Sequence, residues 1–192
     1  QKLPWVLRKK NRTRQTHSKI SFDIMDDDIY QKLLGFALNY VSIRPRSEKE
    51  IREYLVKKIH RWGISETLLE DIINRLSELG YVDDLMVSQA FISSRNRFRP
   101  KGKRLITQEL KRKGVAVEII EKALNQLQKD EEGEESSQLN LARRAVQKRL
   151  QSFKRYDKQE RRNKLYNFLL RRGFDHDTIR SLIDEILLKG LQ

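Results

Sequence analysis

The sequence predicts an all-α protein of three tandem three-helix repeats forming an elongated, curved rod. Three observations carry this. Apolar residues recur at helical spacing between short polar breaks. Hydrophobic residues make up 38% of the chain against 35% charged, a balance that suits charged helices with narrow apolar stripes in small bundles better than one large core. The same pattern also returns around three glycines. Leu55 and Ile59 lie eight and four positions before Gly63, Ile106 and Leu110 before Gly114, and Leu165 and Leu169 before Gly173. Ile64, Val115 and Phe174 follow directly; Ile73, Leu124 and Ile183 come ten positions after, and Leu76, Leu127 and Ile186 thirteen. The glycines are 51 and 59 residues apart, and the acidic insertion Lys129 to Gln138 accounts for the longer gap. Segments follow as a basic tail over 1–27, repeats over 28–80, 81–128 and 139–192, and an acidic linker over 129–138.

The tail holds Lys2, Arg8, Lys9, Lys10, Arg12, Arg14 and Lys19 without an acid before Asp23, which is half of the +14 net charge. It reads as a solubilising segment or as an arm adding phosphate contacts. Ser18 to Ile24 alternates polar and apolar residues, the pattern of a short edge strand. Helical pattern begins near Asp28, behind the acidic run Asp26 to Asp28, and passes through Leu33, Leu34, Ala37, Leu38 and Val41 to Pro45. Ser47 and Glu50 have capping-box spacing for a second helix with Ile51, Leu55 and Ile59 on one face, ended by Trp62-Gly63. Ser65 is placed to cap a third, with Leu68, Leu69, Ile72, Ile73, Leu76 and Leu79 apolar and Gly80 as the stop.

The stretch from Gly80 to Gly114 organises the middle of the chain. Asp83 is an N-cap for a helix starting near Asp84, whose apolar side takes Leu85, Ala90, Phe91 and Ile92. Arg95, Arg97 and Arg99 leave its last turn, where cations suit the helix dipole. Pro100 and Gly102 break the chain, and Leu105, Ile106 and Leu110 mark the next helix. Tyr81, Asp83 and Gly102 read as structural. Between Arg95 and Lys113 nine Lys/Arg residues accompany one acid, Glu109, and between 143 and 172 twelve accompany Asp157 and Glu160. One solvated helix face explains several of these; a polyanion or acidic partner explains the excess. Phe98, Phe153, Tyr156 and Tyr166 are candidates for base stacking, whereas Phe168, between Leu165 and Leu169, reads as core.

Catalysis is not indicated. Cysteine is absent, which removes thiol nucleophiles, thiolate metal sites and disulfides and suits a reducing compartment. His17, His60 and His176 lack metal-ligand spacing, and Asp83-Asp84 is explained by capping. No apolar run approaches the roughly 20 residues of a membrane span. The expectation is a non-enzyme without cofactor or metal, monomeric and cytoplasmic.

Residues Ala37 to Leu127, and more weakly Ala142 to Leu188, resemble the RecX family. The resemblance is carried by Arg46-Ser47 through Glu50 to Leu55, Leu79-Gly80-Tyr81-Val82-Asp83-Asp84, Ala90-Phe91, Arg95 through Lys101-Gly102-Lys103-Arg104-Leu105 to Leu110, and Lys113-Gly114. The final repeat has no counterpart of Pro100-Gly102. The resemblance implies three tandem three-helix repeats and a regulator, mainly an inhibitor, of the bacterial RecA recombinase, acting in homologous recombination, DNA repair and the SOS response. Such a protein binds the RecA filament on single-stranded DNA, with double-stranded DNA a further ligand, and restrains strand exchange, ATP hydrolysis and coprotease activity. Arg95, Arg97, Arg99, Lys101, Lys103 and Arg104 are the expected filament- or DNA-binding edge, with Arg143, Arg144, Arg161, Arg162, Arg171 and Arg172 as a secondary surface. A nucleic-acid-binding protein independent of any recombinase is the competing class, and a scaffold for another acidic protein a third.

Overall fold

The structure, a computed structural model, describes residues 27–63, 67–130, 137–147, 149–153 and 155–188. The expectations for Trp5, His17, Phe22, the Ser18 to Ile24 strand, Ile64 and the Ser65 cap lie outside these residues, as does the middle of the acidic insertion. Every regular element among the described residues is an α-helix. They are α1 (27–42), α2 (Glu48–Trp62), α3 (Thr67–Glu78), α4 (Asp84–Phe98), α5 (Lys103–Arg112), α6 (Val117–Asp130), α7 (Gln138–Gln147), α8 (Leu150–Phe153), α9 (Lys158–Arg171) and α10 (His176–Leu188). The insertion is thus helical at both ends, through Asp130 and from Gln138. Two compact units result, one of residues up to 44 with 51–81, the other of 45–50 with 82 onward.

In the first unit each helix turns one apolar stripe inward. Leu33, Ala37 and Val41 of α1, Ile51, Leu55 and Ile59 of α2, and Leu69, Ile72, Ile73 and Leu76 of α3 are buried. Arg52 of α2 donates two hydrogen bonds to Glu70 of α3, at 2.5 and 3.0 Å. Gly80 sits at φ +75°, which lets the Tyr81 N–H turn back to the Leu76 carbonyl at 2.8 Å and close the helix end. Leu79, expected on the apolar side, is 44% exposed because it lies past the last turn of α3, where the stripe no longer faces the core.

The second unit holds two helix groups. Ile92, Ile106, Leu110, Val115, Ile120 and Ala123 form the core of α4 to α6, with Leu85, Phe91, Leu124 and Leu127 packed on it. The inward face of α4 differs from the expectation: Ala90 is exposed, and Val87, Ser88 and Ile92 are buried. A polar Ser88 hides this face from a hydrophobicity reading. Its hydroxyl is satisfied locally by donating to the Asp84 carbonyl at 2.7 Å. The other group builds its core from α7 to α10, chiefly Leu141, Val146, Phe153, Leu165, Phe168, Leu169, Phe174, Ile179 and Leu182. The one-turn α8 is too short for periodicity to predict. The repeat offsets mark core positions, and two stronger ones join them. Six positions after each glycine come Leu69, Ile120 and Ile179, and nine after come Ile72, Ala123 and Leu182, all buried.

A close backbone approach joins the two groups of this unit. Gly102 caps the start of α5 at φ −72°, ψ 159°, and its N–H donates to the Arg172 carbonyl at 2.9 Å. A Cβ on Gly102 would stand 2.1 Å from the Gly173 carbonyl oxygen, and one on Gly173 2.5 Å from Leu105. A matching joint involves the 45–50 segment. Ser47 Oγ donates to the Lys113 carbonyl at 2.6 Å, Lys113 Nζ pairs with Glu50 at 2.8 Å, and a Cβ on Gly114 would meet Lys49 at 2.5 Å. In both joints a glycine that ends a helix lies against a short segment carrying an N-cap residue, Gly102 in one and Ser47 in the other.

Candidate nucleic-acid interface

The basic residues of the second unit sort into two kinds, and geometry does the sorting. At the end of α4 the Arg95 guanidinium lies over the Phe91 ring at 4.5 Å and donates to Glu109 at 3.2 Å. Lys101 also donates to Glu109, and its side chain is only 19% exposed. Burial alone would push the Glu109 carboxyl up. The hydrogen bonds from Lys101 and Arg95, with their charge, outweigh burial and hold it below its ordinary value. Two of the six residues expected on the binding edge therefore neutralise a carboxylate inside the repeat. Arg97, Arg99, Lys103 and Arg104 are exposed. No acidic side chain pairs with them among the described residues.

One arginine of that edge, and two from the expected secondary surface, take part in capping helix ends. The last carbonyls of a helix lack intrahelical donors. Arg104 donates to the Leu170 carbonyl of α9 at 3.2 Å, and Arg144 to the Arg97 carbonyl of α4 at 3.2 Å. Arg172 reaches the Pro100 carbonyl, just past α4, at 3.2 Å. These bonds leave every positive charge unneutralised, because a carbonyl is a dipole and not a counter-ion. They also bring the edge at Arg97 to Arg104 next to Arg144 and Arg172, so the two surfaces expected separately adjoin.

The remaining secondary residues divide again. Arg143 pairs with Glu185 at 2.7 Å and Arg162 with Asp184 at 3.8 Å. Arg161 donates to the Phe153 and Tyr156 carbonyls at 3.2 and 2.9 Å and so ties α8 to α9. Arg171 is exposed and lines a cleft of about 400 Å³ with Arg149, Arg155, Lys164, Tyr156 and Phe168. Sequence reasoning does not single out Arg149, Arg155 and Lys164 as site residues. The doublets Arg143-Arg144, Arg161-Arg162 and Arg171-Arg172 stand out because they are adjacent in sequence, whereas the cleft residues are scattered and meet only through the α8 turn. A second feature beyond its reach is the outer face of α5. Lys103, Arg104, Thr107, Gln108, Lys111 and Arg112 line one shallow groove there at four-residue spacing.

The aromatic candidates also separate. Phe98 is 68% exposed with Arg97 over its ring at 5.3 Å, and Tyr156 is half-buried. Phe153 and Phe168 are core and meet edge to face at 6.2 Å. Tyr166 is half-buried and its hydroxyl is 2.5 Å from Nδ1 of His176.

The chain matches three family descriptions in tandem: "RecX, first three-helix domain" over residues 34–76, the second over 83–124 and the third over 135–183. The regulatory protein RecX of Prosthecochloris aestuarii is 37% identical over 164 residues, spanning 85% of this chain and 99% of the relative. The chain belongs to the RecX family. RecX of Pelodictyon phaeoclathratiforme is 33% identical over 166 residues, covering 86% of this chain and 96% of its own. A crystal structure of RecX from Lactobacillus salivarius superposes with a TM-score of 0.70 at 26% identity, over 84% of this chain and 99% of that one. Three successive three-helix domains are thus the RecX architecture here.

The paired acids Asp83 and Asp84, which could suggest chemistry, have structural uses in this chain. Asp83 accepts from the Leu85 and Met86 N–H groups, both at 2.9 Å. Asp84 accepts from the Glu48 N–H at 3.0 Å. Burial, and then the carboxylates of Glu48, Asp83 and Glu50, push the Asp84 carboxyl up against that hydrogen bond. Among the described residues no three His, Asp or Glu side chains are grouped to hold a metal, and no helix is long and apolar enough to cross a membrane.

Proposed function

We propose that this chain is a regulator, mainly an inhibitor, of the RecA recombinase that binds the RecA filament on single-stranded DNA and restrains strand exchange, ATP hydrolysis and coprotease activity. Membership of the RecX family supports this reading. The observation that carries it is the adjoining set of cations without acidic partners among the described residues, Arg97, Arg99, Lys103, Arg104, Arg144 and Arg172. A nucleoprotein filament repeats both an acidic backbone and a protein surface, and a chain of tandem domains meets such a target through several modest contacts acting together. The segments 28–80, 81–128 and 139–192 are its contact modules, in a monomeric cytoplasmic protein.

The test is the rate of ATP hydrolysis by cognate RecA on single-stranded DNA, with this protein substoichiometric and at salt that suppresses its binding to bare DNA. A fall in rate is expected, and reversing Arg97, Arg99 and Lys103 to Glu should relieve it. Replacing Arg95 and Lys101 by Gln should not relieve it, since both already serve Glu109. An unchanged rate, with bare DNA still bound at lower salt, would instead establish a nucleic-acid-binding protein acting without a recombinase.

A further inference from the structure

We propose that the cleft between α8 and α9 is a phosphodiester-gripping site for single-stranded DNA, with Arg149, Arg155, Lys164 and Arg171 as its phosphate ligands. The inference rests on the preceding reading only for the choice of DNA as the polyanion. What distinguishes this cleft from an ordinary basic surface is how its cations are held. Arg155 and Lys164 lie over the Tyr156 ring at 4.9 and 4.2 Å, and Arg149 and Arg172 over the Phe168 ring at 5.4 and 4.9 Å. Two aromatic rings thus each collect two cations where a folded protein would more often place a carboxylate. A ring face orients a cation without cancelling its charge. None of these side chains has an acidic partner among the described residues. Asp157, the nearest acid in sequence, accepts from the Glu160 N–H at 2.8 Å as the N-cap of α9.

The arrangement is therefore a like-charge cluster kept together by packing. Arg172 shows the cost: burial, and after it the charges of Arg149 and Arg99, make its protonated form harder to keep than that of a free guanidinium. A bound phosphate removes this repulsion, and bidentate guanidinium contacts suit it geometrically. Along α9, Lys164, Phe168 and Arg171 share one face, and Lys164 and Arg171 stand about 10 Å apart at 1.5 Å rise per residue. Ser152 and Asn167 line the same cleft and offer neutral hydrogen bonds to sugar or base edges. At about 400 Å³ the cleft admits little more than one nucleotide unit at a time, which favours an unpaired strand over a duplex.

The experiment uses the full chain and a fluorescent oligothymidylate, followed by anisotropy across a salt series. The Arg149→Gln, Lys164→Gln, Arg171→Gln triple variant removes three ligands from solvent-facing positions, and circular dichroism checks its fold. The control, Arg143→Gln with Arg162→Gln, removes cations that already have acidic partners. Each phosphate ligand removed takes away about 0.7 of log–log slope, so for three of them a fourfold rise in salt should weaken the wild type about twentyfold more than the triple variant. The control should keep the wild-type slope. An unchanged slope in the triple variant, or an equal fall in the control, overturns the site. So does displacement of the oligonucleotide by dATP at concentrations below those of competing oligonucleotide, which would make the cleft a free-nucleotide site. RecA inhibition is scored separately. A shallower slope in the triple variant supports the cleft whether or not the wild type inhibits RecA, and failure of inhibition alone removes only the filament reading.

Discussion

Replacing Gly102 by Ala isolates the close backbone contact between the two helix groups of the second unit. The backbone at Gly102, φ −72° and ψ 159°, is a conformation that alanine adopts readily, and Gly→Ala at a compatible site usually stabilises by about 0.4–1 kcal/mol. Any destabilisation must therefore come from crowding. The new Cβ would lie 2.1 Å from the Gly173 carbonyl oxygen, 2.2 Å from its carbon and 2.4 Å from the Phe174 nitrogen, against an ordinary contact of 3.4 Å or more. All three are backbone atoms, so no side chain can swing aside, and the segments must part by more than 1 Å. That stretches the 2.9 Å bond from the Gly102 N–H to the Arg172 carbonyl beyond hydrogen-bond range. Overpacking costs about 1–3 kcal/mol and an unmade buried hydrogen bond a further 1–3, leaving a net loss of about 1–5 kcal/mol after the gain in the unfolded chain. Hydrogen exchange of the intact protein reads this directly, with faster exchange expected in α5 and α9 and none in α1 or α3. Gly80→Ala is the contrast. It meets nothing within 4 Å but carries φ +75°, so its cost of about 1–2 kcal/mol is conformational and local to the end of α3. A Gly102→Ala protein within about 0.5 kcal/mol of wild type, the range of an ordinary surface substitution, would refute the close approach as a source of stability.

Gly35→Ala should move stability the other way. The site is helical with nothing within 4 Å of the new Cβ, and a gain of about 0.5–1 kcal/mol in denaturant titration is expected. Ser47→Ala removes the oxygen that accepts from the Glu50 N–H and donates to the Lys113 carbonyl. A loss of about 2–3 kcal/mol follows from the missing cap and the orphaned carbonyl, measured by the urea midpoint. Glu109→Gln should cost about 1–2 kcal/mol at pH 7, reduced from a fully buried pair by the exposure of the three side chains. Because the folded carboxyl titrates below its unfolded value, that stability is complete above the unfolded value and is lost as pH falls through the folded one. The gap between wild type and variant should therefore close in acid, below about pH 4; a gap that stays constant to about pH 3 would contradict the ion-pair assignment.

How much of this is legible in the sequence depends on how far apart along the chain the cause lies. Ser47 and Glu50 make reciprocal bonds at 3.3 and 3.2 Å, a device contained within four residues and therefore visible as a pattern. Gly63, Gly80, Gly114 and Gly173 are legible as helix stops because a left-handed backbone is a local demand, and all four have positive φ. Gly102 is a different case. In sequence it reads as a break in the chain, yet it needs to be glycine because residue 173 passes over it, and no local rule reports a contact so distant. The pairing of Glu109 with Arg95 and Lys101 is hidden for the same reason. Separations of fourteen and eight residues, interrupted by Pro100 and Gly102, are not helical spacings. The Arg-Arg doublets are conspicuous for sequence adjacency, which has no bearing on where a guanidinium ends.

That difference suggests how binding and folding share one set of residues. A chain with a net charge of +14 must keep its surplus cations from repelling the helices apart. In the second unit Arg104, Arg144 and Arg172 are anchored on carbonyls at helix ends, and Arg149, Arg155 and Lys164 on ring faces. Each anchor supplies direction at little loss of charge, whereas a carboxylate would supply direction by cancelling it. Carboxylate partners are found where the cation braces the repeat itself, as at Glu109, Glu185 and Asp184. The type of anchor is then a usable criterion: an arginine held by a dipole or a ring is available to a phosphate, and one held by an acid is not. The register set by Gly102 and Gly173 keeps the first kind adjacent, since Arg99 belongs to one helix group and Arg149 and Arg172 to the other. Gly102→Ala should accordingly weaken DNA binding as well as stability, although Gly102 has no charge to offer.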